Sequence, residues 1–125
     1  MSENKKILLI EDDSFLQELA AKKLIEGGFE VDVASTGEEG VERVENGEHD
    51  LVLLDIILPE MGGFEVLEKI KSHDNENIAN KTVVMLSNLG QDEEIQKAKD
   101  LGADDYLIKA HFTPEDIVKK VRDYV

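Results

Sequence analysis

Leu51-Val52-Leu53-Leu54 is an uninterrupted apolar run that ends on an acidic residue, Asp55. So short a run without any polar position predicts a β-strand buried on both faces, as in a parallel sheet covered by helices. Pro59 and Gly62-Gly63 then mark a turn. In open α/β sheets ligands bind beyond the carboxyl ends of the strands, which makes Asp55 a candidate site residue. A local role in the turn explains this one aspartate equally well, because Asp is favoured in turns.

Strand-like and helical segments alternate along the chain. The predicted strands cover residues 5–10, 29–34, 51–54, 82–86 and 105–108, and the predicted helices cover about 14–26, 36–46, 64–72, 91–101 and 113–125. The polar, Asn-rich stretch between 74 and 81 is expected to be a surface loop. This alternation predicts an α/β domain with a five-stranded parallel sheet, doubly wound so that helices cover both faces. The first and third strands then lie side by side, where the winding reverses.

The composition is that of one globular domain spanning residues 1–125. The chain is 41% hydrophobic and 34% charged, which supplies enough apolar material for one core and too much for a disordered chain. The formal net charge of −15 argues against direct binding to nucleic acid, which requires a basic surface. No apolar run approaches the roughly 20 residues of a membrane span, and neither a signal-peptide pattern nor a cysteine is present. A cytoplasmic location is therefore expected.

Three consecutive acids, Glu11-Asp12-Asp13, follow the first predicted strand. Adjacent carboxylates repel one another, and a bound cation relieves that repulsion. Mg²⁺ suits such a group because it prefers oxygen ligands and takes a few carboxylates while keeping several waters. Capping of the next helix explains Asp13, since an acid suits the positive end of a helix, but it does not require Glu11 and Asp12.

Polar residues also follow the fourth and fifth predicted strands. Because the carboxyl ends of parallel strands lie along one edge of a sheet, all the polar residues at strand ends are expected to meet there. They are Glu11, Asp12, Asp55, Ser87 and Lys109. The set fits phosphoryl transfer: carboxylates hold Mg²⁺, the metal and a lysine neutralise phosphoryl oxygens, a hydroxyl donates a hydrogen bond, and one carboxylate is the nucleophile. Each residue alone has an ordinary explanation, but the whole set is hard to explain as packing or capping.

Four pieces of sequence together resemble the receiver domains of two-component response regulators, and the resemblance covers essentially the whole chain. The pieces are Ile10-Glu11-Asp12-Asp13, Leu54-Asp55 with Pro59 and Gly63, Leu86-Ser87, and Asp105-Tyr106-Leu107-Ile108-Lys109. The resemblance, which is to single-domain chemotaxis regulators in particular, implies a flavodoxin-like sheet with strand order 2-1-3-4-5. It also implies a signalling domain rather than an enzyme, one that catalyses only its own phosphotransfer and a slow autodephosphorylation.

The resemblance implies a role for each site residue. Asp55 would accept a phosphoryl group from a phosphohistidine of a sensor histidine kinase or a histidine phosphotransfer protein. Mg²⁺ would be the cofactor, with ligands from Glu11, Asp12, Asp55 and the carbonyl oxygen of Ile57. Lys109 would pair with the phosphoryl group, Ser87 would move to hydrogen-bond it, and Tyr106 would change rotamer with Ser87. The signal would pass to a downstream protein target, with no direct contact to nucleic acid or membrane.

The chain departs from the family pattern beside two of these residues. Ala110 follows Lys109 where the family usually has a proline after a cis bond, and the loop to Pro114 looks one residue longer. A trans Lys109–Ala110 bond is expected, because a cis bond before a residue other than proline costs about 2.5–4 kcal/mol. Asn88 follows Ser87 where a small residue is usual.

Two apolar residues flank the expected site. Ile57 lies two residues beyond Asp55, and Leu89 lies two beyond Ser87. By the resemblance, these positions border the path of the water that hydrolyses the phosphoryl group. Neither side chain can orient a water, so slow self-dephosphorylation is expected.

The first predicted helix carries apolar residues on two sides. At 100° per residue, Ala21, Leu24 and Ile25 form one side. Phe15 and Leu19 lie roughly opposite, where they either pack against neighbouring loops or form a docking surface for the phosphodonor protein.

Other functions of similar architecture fit less well. An aspartyl phosphatase needs a second acid two residues after its nucleophile, where this chain has Ile57. A flavin-binding module needs a hydroxyl- and glycine-rich phosphate loop after the first strand, where Glu11-Asp12-Asp13 would repel phosphate. An unphosphorylated pseudo-receiver is disfavoured because every expected site residue is present. The cognate kinase, the output, the oligomeric state, and whether the domain stands alone or belongs to a longer regulator are left open by the sequence.

Overall fold

The predicted strands form one parallel sheet. The computed structural model of the protein describes residues 4–125 and contains β1 (Lys6–Ile10), β2 (Glu30–Ala34), β3 (Leu51–Leu54), β4 (Thr82–Ser87) and β5 (Asp105–Ile108). The strand order is β2-β1-β3-β4-β5, and every neighbouring pair is parallel. β1 lies between β2 and β3, which is where the winding reverses and where such sheets bind ligands. The predicted fold class and strand order are confirmed.

Helices connect the strands and cover both faces of the sheet. They are α1 (Ser14–Glu26), α2 (Gly37–Asn46), α3 (Gly63–Lys71), α4 (Glu76–Ala79), α5 (Asp92–Asp100) and α6 (Pro114–Tyr124), with a 3-10 turn at Lys109–His111. The short helix α4 contradicts the surface loop predicted between 74 and 81. Asn75 caps it by accepting the N–H of Asn77 at 2.9 Å, and Ile78 is buried. One buried residue among polar ones leaves no helical periodicity in the sequence to detect.

Capping residues begin α2 and α6. At α6, Thr113 accepts the N–H of Asp116 at 3.1 Å, and the Asp116 carboxylate accepts the N–H of Thr113 at 3.0 Å, so that the two residues form a capping box. At α2, Thr36 accepts the N–H of Glu39 at 3.1 Å. The Glu39 carboxylate, however, accepts the N–H of Ser35 at 2.7 Å instead of that of the cap itself. The reciprocal bond at α2 is therefore displaced by one residue from that of a capping box.

The core has two layers, one on each face of the sheet. Successive strand residues point to opposite faces, and both faces are buried because the strand interiors carry almost no polar residues. The strand residues packed beneath α1 and α6 are Ile7, Leu9, Leu51, Leu53, Val84, Leu86 and Leu107. Those packed beneath α2, α3, α4 and α5 are Leu8, Ile10, Ala34, Val52, Leu54, Val83 and Met85. The carboxyl ends of the strands lie beyond these two layers, and the polar residues that follow the strands are placed there.

Helix α1 packs through a narrower stripe than the sequence predicts. Leu24 is buried and Ala21 is half-buried, but Ile25, which shares their side of the helix, is 57% exposed. One step of 100° beyond Leu24 carries the next side chain out to solvent. Phe15 and Leu19, on the second side, are 72% and 36% exposed.

A tight loop joins β3 to α3 and carries Asp55. Glu60 in this loop has φ 63°, a left-handed conformation that is unfavourable for residues other than glycine. Gly63 begins α3 against the chain that leaves β3. Its N–H donates to the Ile56 carbonyl at 2.7 Å, and a Cβ built on it would lie 2.6 Å from the Ile56 Cα. Glycine at this position lets α3 close onto the backbone that presents Asp55.

Substitution of Gly63 is expected to loosen this loop. We expect Gly63→Ala to lower the free energy of unfolding by about 1–3 kcal/mol, because the added methyl group overpacks against backbone that cannot rotate away. Gly62→Ala is the matched control: a Cβ there would meet only the Ile56 carbonyl oxygen, at 3.7 Å, so a change within about 0.5 kcal/mol is expected. Urea unfolding measures both variants, and equal destabilisation would contradict this account of Gly63.

Candidate functional site

The carboxyl ends of β1, β3, β4 and β5 meet at one edge of the sheet. Ile10 pairs with Leu54 in the parallel register, which sets Glu11 beside Asp55 one residue later. The backbone continues the ladder there: the Asp55 N–H donates to the Ile10 carbonyl at 3.1 Å. Ser87 ends β4, and Lys109 follows β5 directly. The structure therefore brings Glu11, Asp12, Asp55 and Lys109 into one site, with Ser87 at the end of the neighbouring strand.

Three carboxylates form the acidic part of the site. Glu11, Asp12 and Asp55 each place an oxygen so that all three oxygens lie within 4.8 Å of one another. Glu11 and Asp55 are buried, at 4% and 8% exposure, whereas Asp12 is exposed. Asp13 stays outside the group because its side chain caps α1 by accepting the N–H of Leu16 at 3.0 Å. Oxygen donors of this kind and spacing fit a divalent cation such as Mg²⁺.

Ile57 is the fourth residue expected at the metal, and its main chain contacts the Asp55 carboxylate. Its N–H donates to Oδ1 of Asp55 at 3.2 Å, which leaves Oδ2 for other partners. The Ile57 side chain is 60% exposed beside the acidic group. The solvent-facing side of the site therefore carries an apolar side chain.

Lys109 bridges the two buried carboxylates. Its Nζ lies 2.5 Å from Oε1 of Glu11 and 3.1 Å from Oδ2 of Asp55. Burial alone would lower the pKa of Lys109, but the bonds to Glu11 and Asp55 outweigh burial and raise the pKa above its ordinary value. The lysine is therefore a fixed positive charge at neutral pH, placed where an anion bound to Asp55 would meet it.

Ser87 and Tyr106 meet at the backbone of Leu89, not at the carboxylates. Ser87 is buried, with 1% of the residue exposed. Its hydroxyl accepts the N–H of Leu89 at 3.2 Å. The Tyr106 hydroxyl donates to the carbonyl of Leu89. Burial raises the pKa of Tyr106, and the nearby Ser87 hydroxyl partly offsets that rise. The loop between β4 and α5 therefore contacts both of the expected switch residues.

Gln17 is a site residue that the sequence pattern does not reveal. Its amide nitrogen donates to the Glu11 carbonyl at 2.9 Å, and also lies 3.3 Å from the Ala34 carbonyl and 3.2 Å from the Ser35 hydroxyl. It therefore holds the end of β1 to the end of β2, and with it the backbone of Glu11. A glutamine in the first turns of a helix gives no signal of this role, because the contacts are long-range.

An apolar groove adjoins the site between α1 and α6. It encloses about 220 Å³ and reaches Lys109 and Glu11 at its inner end. Its apolar walls include Leu16, Leu19, Ala20, Phe112, Pro114 and Ile117. Leu19 thus lines the groove, and the more exposed Phe15 stands on the same helix nearer the acids.

The chain turns sharply after Lys109 without a cis bond. No peptide bond among residues 4–125 is cis, so the Lys109–Ala110 bond is trans, as expected. The turn is instead made by the 3-10 segment, in which the Phe112 N–H donates to the Lys109 carbonyl at 3.3 Å. The residues between Lys109 and Pro114 therefore make the turn that the family usually makes with a cis bond to proline.

Comparison with known proteins decides the family. The family model for the response regulator receiver domain matches residues 7–122. The chain belongs to the response regulator receiver family. The receiver is 37% identical over 119 residues to the transcriptional regulatory protein CusR of Escherichia coli K12, a match that covers 94% of this chain and 49% of CusR. It is 35% identical over 111 residues to the chemotaxis protein CheY of Halobacterium salinarum, covering 88% of each.

A solved structure shows the same fold. The receiver domain from Methanospirillum hungatei JF-1 superposes with a TM-score of 0.87 at 30% identity, covering 97% of this chain and 93% of that one. The chain spans about half the length of the curated transcriptional regulators it matches. At the level of the family, the receiver is a phosphorylation-dependent signalling switch of two-component systems, which work with histidine kinases or phosphotransfer proteins and downstream targets. Within residues 4–125, no helix is both long and apolar enough to cross a membrane.

Removal of one carboxylate charge is expected to weaken binding of a divalent cation. A unit charge 4 Å from a divalent ion in water is worth about 2 kcal/mol, so Asp12→Asn is expected to weaken Mg²⁺ binding roughly 30-fold. Asp13→Asn is the control, because it removes the same charge from the neighbouring residue while asparagine still caps α1. Calorimetric Mg²⁺ titration measures both variants, and equal loss in both would show that net charge, not this site, holds the ion.

Proposed function

We propose that this receiver accepts a phosphoryl group on Asp55 from a phosphohistidine of a sensor histidine kinase or a histidine phosphotransfer protein. One observation carries the proposal: a buried aspartate, 3.1 Å from a lysine, lies within a group of three carboxylates that suits a divalent cation. The proposed place of action is the cytoplasm, and the proposed output is contact with a downstream protein target. The domain, residues 1–125, acts as a switch and carries out only its own phosphotransfer and slow dephosphorylation.

Each site residue has a task in the transfer. An oxygen of Asp55 attacks the phosphorus, the phosphorus–nitrogen bond to the donor imidazole breaks, and the electron pair leaves with the imidazole. Glu11, Asp12, Asp55 and the carbonyl oxygen of Ile57 would hold Mg²⁺, which supplies positive charge to the phosphoryl oxygens when bound. Lys109 releases Asp55 and pairs with the phosphoryl group while keeping its bond to Glu11.

Ser87 and Tyr106 carry the signal away from the phosphoryl group. The Ser87 hydroxyl turns from Leu89 to donate a hydrogen bond to a phosphoryl oxygen. Because the Tyr106 hydroxyl is bonded to the same Leu89, its position depends on the same loop. The conformational change therefore begins at the loop between β4 and α5 and reaches the surface through the tyrosine.

Labelling by a small phosphodonor tests the assignment of Asp55. We expect the wild type to take up one phosphoryl group per chain from acetyl phosphate, dependent on Mg²⁺, and Asp55→Ala to take up none while remaining folded. The fold survives because Glu11 remains paired with Lys109. Asp13→Asn serves as the control and keeps full uptake. Stoichiometric labelling of Asp55→Ala would refute the assignment, and no labelling of the wild type would favour a pseudo-receiver.

The phosphodonor protein is expected to dock on the exposed apolar side of α1. Phe15 and Leu19 lie there beside the groove that ends at Lys109. Replacement of both by Gln is expected to slow transfer from the donor protein at least tenfold, since buried aromatic anchors carry about 2 kcal/mol or more, and to leave acetyl phosphate labelling unchanged. Ile25→Gln, at the far end of the same helix and also exposed, is the control. An equal loss with both donors would show a structural role for Phe15 and Leu19.

The phosphorylated state is expected to be long-lived. The Ile57 side chain offers no polar group to orient the hydrolytic water, and the backbone of Leu89 is bonded to Ser87 and Tyr106. A group that positions water accelerates hydrolysis by less than the roughly 10²–10⁴-fold typical of a general acid or base. We expect the double variant Ile57→Asn, Leu89→Glu to lose its phosphoryl group about tenfold faster than wild type, as followed by decay of the labelled protein. Unchanged decay would show that these apolar residues do not limit the reaction.

A further inference from the structure

The side chain of Gln17 holds the peptide group that joins two acids of the site. Its Nε2 donates to the carbonyl of Glu11 at 2.9 Å, and that carbonyl belongs to the peptide between Glu11 and Asp12. No backbone N–H within residues 4–125 donates to the Glu11 carbonyl, so the glutamine side chain supplies its hydrogen bond. The direction of the chain at Asp12 therefore depends on a residue of α1 and not on the sheet alone.

The surroundings of the Gln17 amide require a hydrogen-bond donor at this position. Besides Glu11, its nitrogen lies 3.3 Å from the carbonyl of Ala34, which also accepts the N–H of Glu11 at 3.0 Å. Carbonyl oxygens only accept hydrogen bonds, so the amide nitrogen, with its two hydrogens, is the group that faces both of them. The Ser35 hydroxyl is a third neighbour at 3.2 Å. Glu11 is the nearest of the three acceptors, and Gln17 is half-buried among them.

The backbone of Gln17 binds the same acidic segment a second time. Its N–H donates to the carbonyl of Asp13 at 2.9 Å. The N–H of Asp13 in turn donates to Oε2 of Glu11 at 3.2 Å. Asp12 thus lies between two residues whose carbonyls both accept hydrogen bonds from Gln17, one from its side chain and one from its main chain.

The three carboxylates of the site depend on Gln17 to different degrees. Those of Glu11 and Asp55 are each held directly, because Lys109 lies 2.5 Å from the first and 3.1 Å from the second, and the N–H of Ile57 also donates to Asp55. Asp12 is exposed, and its carboxylate has no such contacts among residues 4–125. Its oxygen nevertheless lies within 4.8 Å of those of the other two acids. The backbone therefore sets the place of the Asp12 carboxylate.

We propose that Gln17 is a positioning residue for Mg²⁺, which fixes the peptide between Glu11 and Asp12 and thereby places the Asp12 carboxylate for the ion. This inference rests on the proposed function, in which the three acids hold the cation. A ligand that is already in place loses little conformational freedom when the ion binds. Groups that orient the ligands of a metal typically contribute about 10–100-fold to its affinity. A smaller contribution is expected here, since Gln17 places one carboxylate of three.

Titration with Mg²⁺, followed by nuclear magnetic resonance, measures this contribution. We expect Gln17→Met, which keeps the length and helix propensity of the side chain but has no donor, to weaken Mg²⁺ binding about threefold to tenfold. Gln17→Leu is expected to have the same effect. Ser35→Ala is the matched control, because it removes one partner of the Gln17 amide and leaves the bond to Glu11, so a change of less than about twofold is expected. Equal weakening by Gln17→Met and Ser35→Ala would overturn the proposal.

A double-mutant cycle with Asp12→Ala separates positioning from a general effect on structure. Without the Asp12 carboxylate there is no ligand for Gln17 to place, so Gln17→Met is expected to leave Mg²⁺ affinity unchanged in that background. The same weakening in both backgrounds would show that Gln17 acts on the stability of the site as a whole, and would overturn the proposal.

Two further measurements distinguish this inference from the proposed function. The carbonyl-carbon resonance of Glu11 in the metal-free protein is expected to shift in Gln17→Met and to stay in place in Ser35→Ala. With acetyl phosphate, Gln17→Met is expected to be labelled more slowly than wild type at low Mg²⁺ and at the wild-type rate once Mg²⁺ is saturating, because only binding of the ion is affected. An unmoved resonance, or slow labelling at saturating Mg²⁺, would overturn this inference alone. Failure of the wild type to bind Mg²⁺ would overturn the proposed function with it.

Discussion

Lys109 neutralises two carboxylates that the sheet forces together. Glu11 and Asp55 are both buried, and water cannot separate their charges. A single ammonium group, 2.5 Å from one and 3.1 Å from the other, makes that arrangement stable. The same carboxylates are the ones that face Asp12, so a divalent cation can join the group from the solvent side. The resting site is thus held together by the groups that would bind a phosphoryl anion.

The parallel sheet is what places these charges at one point. In a parallel sheet, strands in register end at the same edge, so each contributes the residue that follows its last buried position. Glu11 follows Ile10 and Asp55 follows Leu54, and those two residues are paired. A shift of one residue would turn every side chain to the other face of the sheet and would separate the acids. Gln17 and Gly63 then fix the two chain segments that leave these strands.

Leu89 joins Ser87 to Tyr106 through its backbone alone. Its N–H donates to Ser87 and its carbonyl accepts from Tyr106, so two side chains on different strands contact one peptide segment. Both hydrogen bonds use only the backbone of Leu89, so they do not depend on the identity of its side chain.

The sequence by itself determined the strands and the polar residues that follow them, which make up most of the candidate site. Apolar runs such as Leu51–Leu54 predict buried strands, and a polar residue directly after such a run lies at the edge of the sheet. Both features can be predicted because each depends only on residues adjacent in the sequence. The tertiary structure decided what depends on neighbours distant in the chain. It buried Ile78 in a short helix, exposed Ile25, and engaged Gln17 with three partners from other segments. It also set Lys109 between two acids, since pairing and burial arise only when separate elements pack together.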